Sequence, residues 1–154
     1  MQVKEVMTSN PRSCSPDSNL AAVTKALWDG DCGTIPVTDG SGKVLGLITD
    51  RDICVALGTR NVPAAELRAR DVMSREVYSC QVTEDVRTAL AMMTSRRVRR
   101  LPVVDAKGKL AGLISMNDIV LAVGQRPKEL SADDVVSTLQ AICAHRPARA
   151  AVAA

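Results

Sequence analysis

Residues 98–119 read VRRLPVVDAKGKLAGLISMNDI. An apolar run, Leu101-Pro102-Val103-Val104, meets a polar turn at Asp105-Ala106-Lys107-Gly108, and a second apolar run follows from Leu110 to Ile114. Two short β-rich runs around a glycine-containing turn predict a hairpin. Ser115, followed three residues later by Asp118, has the spacing of a capping box and so predicts a helix start. The unit reads strand, turn, strand, helix.

The same unit stands earlier in the chain. Residues 35–53 read IPVTDGSGKVLGLITDRDI, at an offset of 66 residues, as from Asp52 to Asp118. With no gaps, Pro36 aligns with Pro102, Asp39 with Asp105, Gly46-Leu47-Ile48 with Gly112-Leu113-Ile114, and Asp52-Ile53 with Asp118-Ile119. Upstream, Val6-Met7 aligns with Val72-Met73 and Ser13-Cys14 with Ser79-Cys80. Self-similarity at one long fixed period makes the chain two copies of one module. Each copy is about 60 residues, a size at which burial is marginal, so the stable unit is expected to be the two copies packed together.

Composition narrows the function classes. A net charge of +3 over 154 residues is too small to imply nucleic-acid binding. With one Trp, one Tyr and no Phe the chain has no aromatic platform for stacking bases, and Ala, Val, Leu, Ile and Met must build its core. No apolar run approaches the roughly 20 residues that span a bilayer, and MQVKEVMTSN is not an apolar leader, so a cytoplasmic protein is expected. Five cysteines, an odd number without a C-x-x-C pair, fit reduced thiols better than a disulfide framework.

Outward from the two hairpins, Asp17-Ser18 are expected to cap a helix carrying Leu20, Val23, Thr24 and Leu27 on one stripe, ended by Gly30 and Gly33. A helix from Thr49 to about Gly58 follows the first hairpin. Thr83-Glu84-Asp85 open a second long helix with Val86, Leu90 and Met93 on one face, and the second hairpin leads to a helix from Ser115 to Val123, ended by Gly124. Trp28 is expected to be buried or at an interface. Ser131 to Asp134 is a further capping box, opening a C-terminal helix with Val135, Leu139 and Ile142 along one side. The expected divisions are a first repeat over 1–60, a linker over 61–69, a second repeat over 70–124, a C-terminal helix over 125–146 and a disordered tail over 147–154.

With both hairpins and both T/S-x-x-D turns in view, the chain resembles a CBS-domain pair, or Bateman module. The resemblance rests on Val6-Met7-Thr8 with Val72-Met73-Ser74, Ile35-Pro36-Val37 with Leu101-Pro102-Val103, and Gly46 to Asp52 with Gly112 to Asp118. It covers roughly residues 1–124. Thr49-Asp50-Arg51-Asp52-Ile53 and Ala141-Ile142-Cys143 resemble the small bacterial stand-alone proteins of the hypoxic response type. The resemblance implies an α/β (α+β) fold of tandem β-α-β-β-α repeats, packed with pseudo-twofold symmetry, and a homodimer. It also implies a non-catalytic regulator, read by an effector protein not identifiable here. The ligand it implies is adenosine-containing (AMP, ADP, ATP, NAD or S-adenosylmethionine) and lies in the clefts between repeats.

The site residues follow from that resemblance. Asp52 and Asp118 would accept from ribose hydroxyls, with Thr49 and Ser115 contacting phosphate or ribose, because a carboxylate accepts two vicinal hydroxyls and helix-start amides receive a phosphate. The plain alternative is that both turns are helix caps only; the two roles are compatible. Arg99 and Arg100, three and two residues before Pro102, would face phosphates with their bidentate guanidinium forks. Repeat one has Gly33 and Thr34 there, so the two clefts are expected to differ, with at most one strong phosphate site. The alternative for the arginines is a basic edge that prevents strand pairing with other chains. Cys14, Cys80, Ile35 and Leu101 complete the implied ligand set, the cysteines lying near where the adenine is held, although small apolar packing also explains them. No metal set is assembled, since His145 is the only histidine and the cysteines lack ligand spacing. The same scarcity leaves no nucleophile, base and orienting group for catalysis. Two other readings stay open: a ligand-free scaffold dimer, and a thiol-based redox or metal sensor.

Overall fold

The computed structural model describes residues 1–126 and 129–144; His145 and the expected tail lie outside them. Described residues form β1 (Thr8–Ser9), α1 (Leu20–Asp29), β2 (Thr34–Thr38), β3 (Val44–Thr49), α2 (Asp50–Arg60), α3 (Ala69–Val72), β4 (Cys80–Gln81), α4 (Val86–Arg96), β5 (Arg100–Val104), β6 (Leu110–Ser115), α5 (Met116–Gln125) and α6 (Ala132–Cys143). A single 3₁₀ turn at Val3–Glu5 precedes them.

The strands form two sheets of one design. One runs β1-β6-β5-β4. In the other, the β2–β3 hairpin is extended by single pairings, Cys14 parallel to Val37 and Ser74 antiparallel to Leu47. Shifted by the 66-residue offset, these are the pairings Cys80 with Val103 and Thr8 with Leu113 in the first sheet. The first strand of each repeat therefore crosses to edge the other repeat's hairpin. Bridges at Gln2 with Asp85 and Asn19 with Arg68 are likewise equivalents, and Lys43 pairs with its own equivalent, Lys109. This register is the pseudo-twofold expected from the repeat.

Local chemistry builds each hairpin twice. Gly42 (φ 87°) and Gly108 (φ 75°) take the left-handed turn positions that favour glycine. Asp39 accepts from the backbone of Ser41 and Lys43 at 2.8 and 3.0 Å, and Asp105 from that of Lys107 and Lys109 at 2.8 and 2.9 Å. The Ser41 hydroxyl, donating to Asp39 at 2.7 Å, with these backbone bonds holds the Asp39 carboxyl below its ordinary range, and the backbone bond from Lys109 does the same for Asp105. Gly46 admits the crossing strand: a Cβ there would lie 2.7 Å from the Ser74 carbonyl oxygen.

Two apolar cores follow the crossing. Leu20, Val23, Ile35, Val37, Ile48 and Ile53 pack with Ala69 at the end of the linker and with Val72 and Met73 beyond it. Val3, Val86, Met93, Leu101, Ile114 and Ile119 pack with Leu130 and Val135. The C-terminal helix therefore directs Val135 into the second core, and Thr94 donates to Thr138 at 3.2 Å to join α4 and α6. Among the described residues no helix is long and apolar enough to cross a membrane.

Several local expectations are corrected. The cap of α1 is Asn19, which accepts from Ala22 N at 2.9 Å, not Asp17 or Ser18. Gly58 does not end α2, which runs on to Arg60 and closes on left-handed Asn61. Nor does Gly124 end α5, since an exposed glycine costs a helix only about 1 kcal/mol. Trp28 is 84% exposed on α1, so of its two expected places burial within the chain is excluded.

Candidate functional site

The crossing creates two equivalent clefts. At one side of each stands a helix start from one repeat; opposite lie the loop after the crossing strand and the residues before a hairpin, both from the other repeat. Cleft 1, about 280 Å³, brings Thr49, Asp52 and Leu47 together with Tyr78, Arg99 and Arg100. Cleft 2, about 410 Å³, brings Ser115, Asp118 and Leu113 together with Arg12, Gly33 and Arg100. These volumes sit near the lower end of the roughly 300–1,000 Å³ common for small-molecule pockets.

The helix starts are nearly superimposable in chemistry. Asp52 Oδ2 accepts from Thr49 N at 2.9 Å and from Thr49 Oγ1 at 2.7 Å, while Asp52 N donates back to Thr49 Oγ1 at 3.2 Å. Asp118 Oδ2 accepts from Ser115 N at 2.8 Å and from Ser115 Oγ at 2.7 Å, with the return bond at 3.3 Å. Both are true capping boxes. Each engages only Oδ2, so Oδ1 of each half-buried aspartate keeps its acceptor capacity for a molecule in the cleft. Capping and lining coexist.

The charges around the two clefts differ. Cleft 1 carries Arg51, Arg99 and Arg100 beside Asp50 and Glu76; cleft 2 carries Arg12 and Arg100 beside Asp31. Arg12 is partly engaged, donating to the Asp29 carbonyl at 3.5 Å. Tyr78 in cleft 1 is the equivalent of Arg12 in cleft 2. Its hydroxyl donates to Glu76, which raises its pKa, and Arg96 lies 4.5 Å from its ring centroid.

Of the residues singled out in the sequence, Thr49, Asp52, Arg99, Arg100 and Leu101 share cleft 1, whereas Ser115 and Asp118 share cleft 2 with Arg100. Three are not brought to either cleft. Ile35 is fully buried in the first core, as its equivalent Leu101 is in the second, although Leu101 also borders cleft 1. Cys14 and Cys80 pair with the strands β2 and β5 and pack into the two cores, Cys80 being 1% exposed with its thiol 4.0 Å from the Pro102 carbonyl. Burial pushes each thiol up to about 11, so at neutral pH they are apolar packing groups. Arg12, Glu76 and Tyr78 are not marked as site residues by sequence; the signal available for Arg12 and Tyr78 is their equal distance downstream of Val6-Met7 and Val72-Met73, and Glu76, the equivalent of Asn10, has none.

The profile of the CBS domain matches residues 3–59 and 69–125. A protein of Methanopyrus kandleri, MK0525, is 28% identical over 120 residues, which are 78% of this chain and 61% of that protein, so the chain spans under two thirds of that relative. The CBS domain pair of protein MJ0100, solved in complex with 5′-methylthioadenosine and S-adenosyl-L-methionine, superposes with a TM-score of 0.74 at 24% identity, over 82% of this chain and 98% of that one. CBSX2 in complex with AMP gives 0.72 at 23%, over 82% and 98%. Hypoxic Response Protein I, with two coordinated zinc ions, gives 0.72 at 21%, over 79% and 98%. With both repeats matched and the crossed-strand pair in place, this chain belongs to the CBS-domain family as a tandem CBS pair.

Proposed function

We propose that the chain is a non-catalytic regulatory module that binds an adenine nucleotide or adenosyl ligand between its repeats. One observation carries this reading: Thr49 and Asp52 of one repeat share a cavity with Arg99 and Arg100 of the other. The spare oxygen of Asp52 suits vicinal ribose hydroxyls, the guanidiniums suit phosphate, and Leu47 and Val98 give a base an apolar wall. AMP, ADP and ATP fit cleft 1 best, with NAD and S-adenosylmethionine as further candidates. Cleft 2, with fewer free cations, suits the less charged members of that set. The complexes of MJ0100 and CBSX2 support the ligand class.

A ligand tying Asp52 on one repeat to arginines on the other favours one inter-repeat arrangement, by no more than its difference in affinity between arrangements. An effector protein reads that shift. Dimerisation belongs to the same reading: Val55 on α2 and Leu121 on α5 are repeat equivalents, 54% and 67% exposed, so a second copy would meet the same apolar face twice. In sedimentation, Val55→Glu with Leu121→Glu is expected to yield monomer where the unaltered chain is dimeric. The thiol-sensor reading is disfavoured by the high thiol pKa of Cys14 and Cys80, and their reduced state fits a reducing, cytoplasmic compartment.

Calorimetry with AMP, ATP, NAD and S-adenosylmethionine tests the proposal. Heat that is lost in Asp52→Ala with Asp118→Ala but kept in Lys25→Ala, a change at an exposed site, supports it. Silence across the panel leaves the scaffold reading.

A further inference from the structure

Thr34 and Arg100 are equivalents in the two repeats, and each lines both clefts. A related pair that faces both clefts stands at the pseudo-twofold axis, where its members differ in chemistry. Thr34 is 3% exposed and its hydroxyl donates to the Ile48 carbonyl at 2.9 Å, which commits its polar group. Arg100 is half-buried, and among the described residues no hydrogen bond or ion pair engages its guanidinium. Gly33, on the wall of cleft 2, lets the side chain approach: a Cβ there would lie 3.1 Å from Arg100 Nη2 and 3.3 Å from Asp50 Oδ2 of cleft 1.

We propose that Arg100 is one phosphate-binding side chain shared by the two clefts, so that a nucleotide held in one weakens the binding of a second in the other. This rests on the reading that the clefts take adenine nucleotides, and it adds how the two sites communicate. A guanidinium that grips a phosphate bidentately fixes its plane, and the same donors are then withdrawn from the second phosphate. Cleft 1, with Arg99 and Arg51 as well, captures Arg100 first. Cleft 2 is left with Arg12, already turned toward Asp29. Coupling of this kind is reciprocal, and it requires a charged ligand.

The test is calorimetric titration of the full chain with AMP and, separately, adenosine. In the unaltered chain AMP is expected to bind in two steps, the second weaker, while adenosine gives no coupling. Disabling cleft 1 with Asp52→Ala frees Arg100, and AMP at cleft 2 then binds roughly tenfold more tightly than the second step of the unaltered chain. Asp52→Asn, which keeps a cap acceptor, repeats the measurement where Asp52→Ala melts too low to titrate. With Arg100→Ala in the background, the Asp52 change no longer alters cleft 2. Cleft 2 affinity that is the same with and without the Asp52 change, or lost with it, overturns the sharing of Arg100 while leaving nucleotide binding intact. Absence of heat with both AMP and adenosine overturns the nucleotide reading itself, and this proposal with it.

Discussion

Cleft 1 and cleft 2 share a scaffold but not a charge pattern. The capping boxes agree to within about 0.1 Å in all three bonds, and the crossing strands pair in the same register. Opposite those boxes, Val98, Arg99 and Arg100 in one cleft face Cys32, Gly33 and Thr34 in the other. The helix starts are duplicated, whereas the cleft walls opposite them have diverged. A change in the shared frame should therefore act alike in both repeats, and a change in the walls should act in one.

The largest difference is expected at the arginines. Each charge-assisted bond contributes about 1.5–3 kcal/mol, so Arg99→Ala with Arg100→Ala should weaken AMP roughly a hundredfold while adenosine changes little. Competitive titration of the two ligands checks this; equal losses for both would mean the arginines support the fold and do not meet phosphate. A smaller and symmetric effect is expected at the caps. Thr49→Ala and Ser115→Ala should each lower stability by about 1 kcal/mol in denaturant unfolding. A cost at only one of them would break the equivalence of the two helix starts.

At neutral pH the smallest effect is expected at the two repeat-equivalent thiols, whose contribution emerges only in alkali. Their ordinary value of 9.0 is raised to about 11 by burial in both Cys14 and Cys80. Between those values the folded chain binds more protons than the unfolded one, so stability falls as pH rises from 9 to 11. Replacing both by alanine should flatten that slope, as read from unfolding at successive pH values, and either single change should remove about half of it.

Much of this was legible in the residues. The 66-residue offset carried the hairpins, both capping boxes and the pseudo-twofold, because each rests on local chemistry such as Asp39 with Gly42 and Ser115 with Asp118. The pairing across the clefts was partly legible, through the contrast of Arg99-Arg100 with Gly33-Thr34. Tyr78, Glu76 and Arg12 were not, since they reach the clefts only because β1 and Ser74 cross onto the opposite hairpins, a long-range event without a local signature. The repeated cysteines fit the packing reading. Their repetition marks a packing position beside β2 and β5, where a small apolar side chain is wanted in both cores. Trp28 stands off the Leu20, Val23 and Leu27 stripe by which α1 packs, and an apolar residue type alone does not show that.

The central claim is that Asp52 and the Arg99–Arg100 pair hold opposite ends of one nucleotide. Crystals of the full chain grown with saturating AMP test it most directly. The account predicts density in cleft 1 with ribose hydroxyls on Asp52 Oδ1 and phosphate on the two guanidiniums. AMP density elsewhere on the molecule, or a cleft 1 without AMP at saturation, would contradict it.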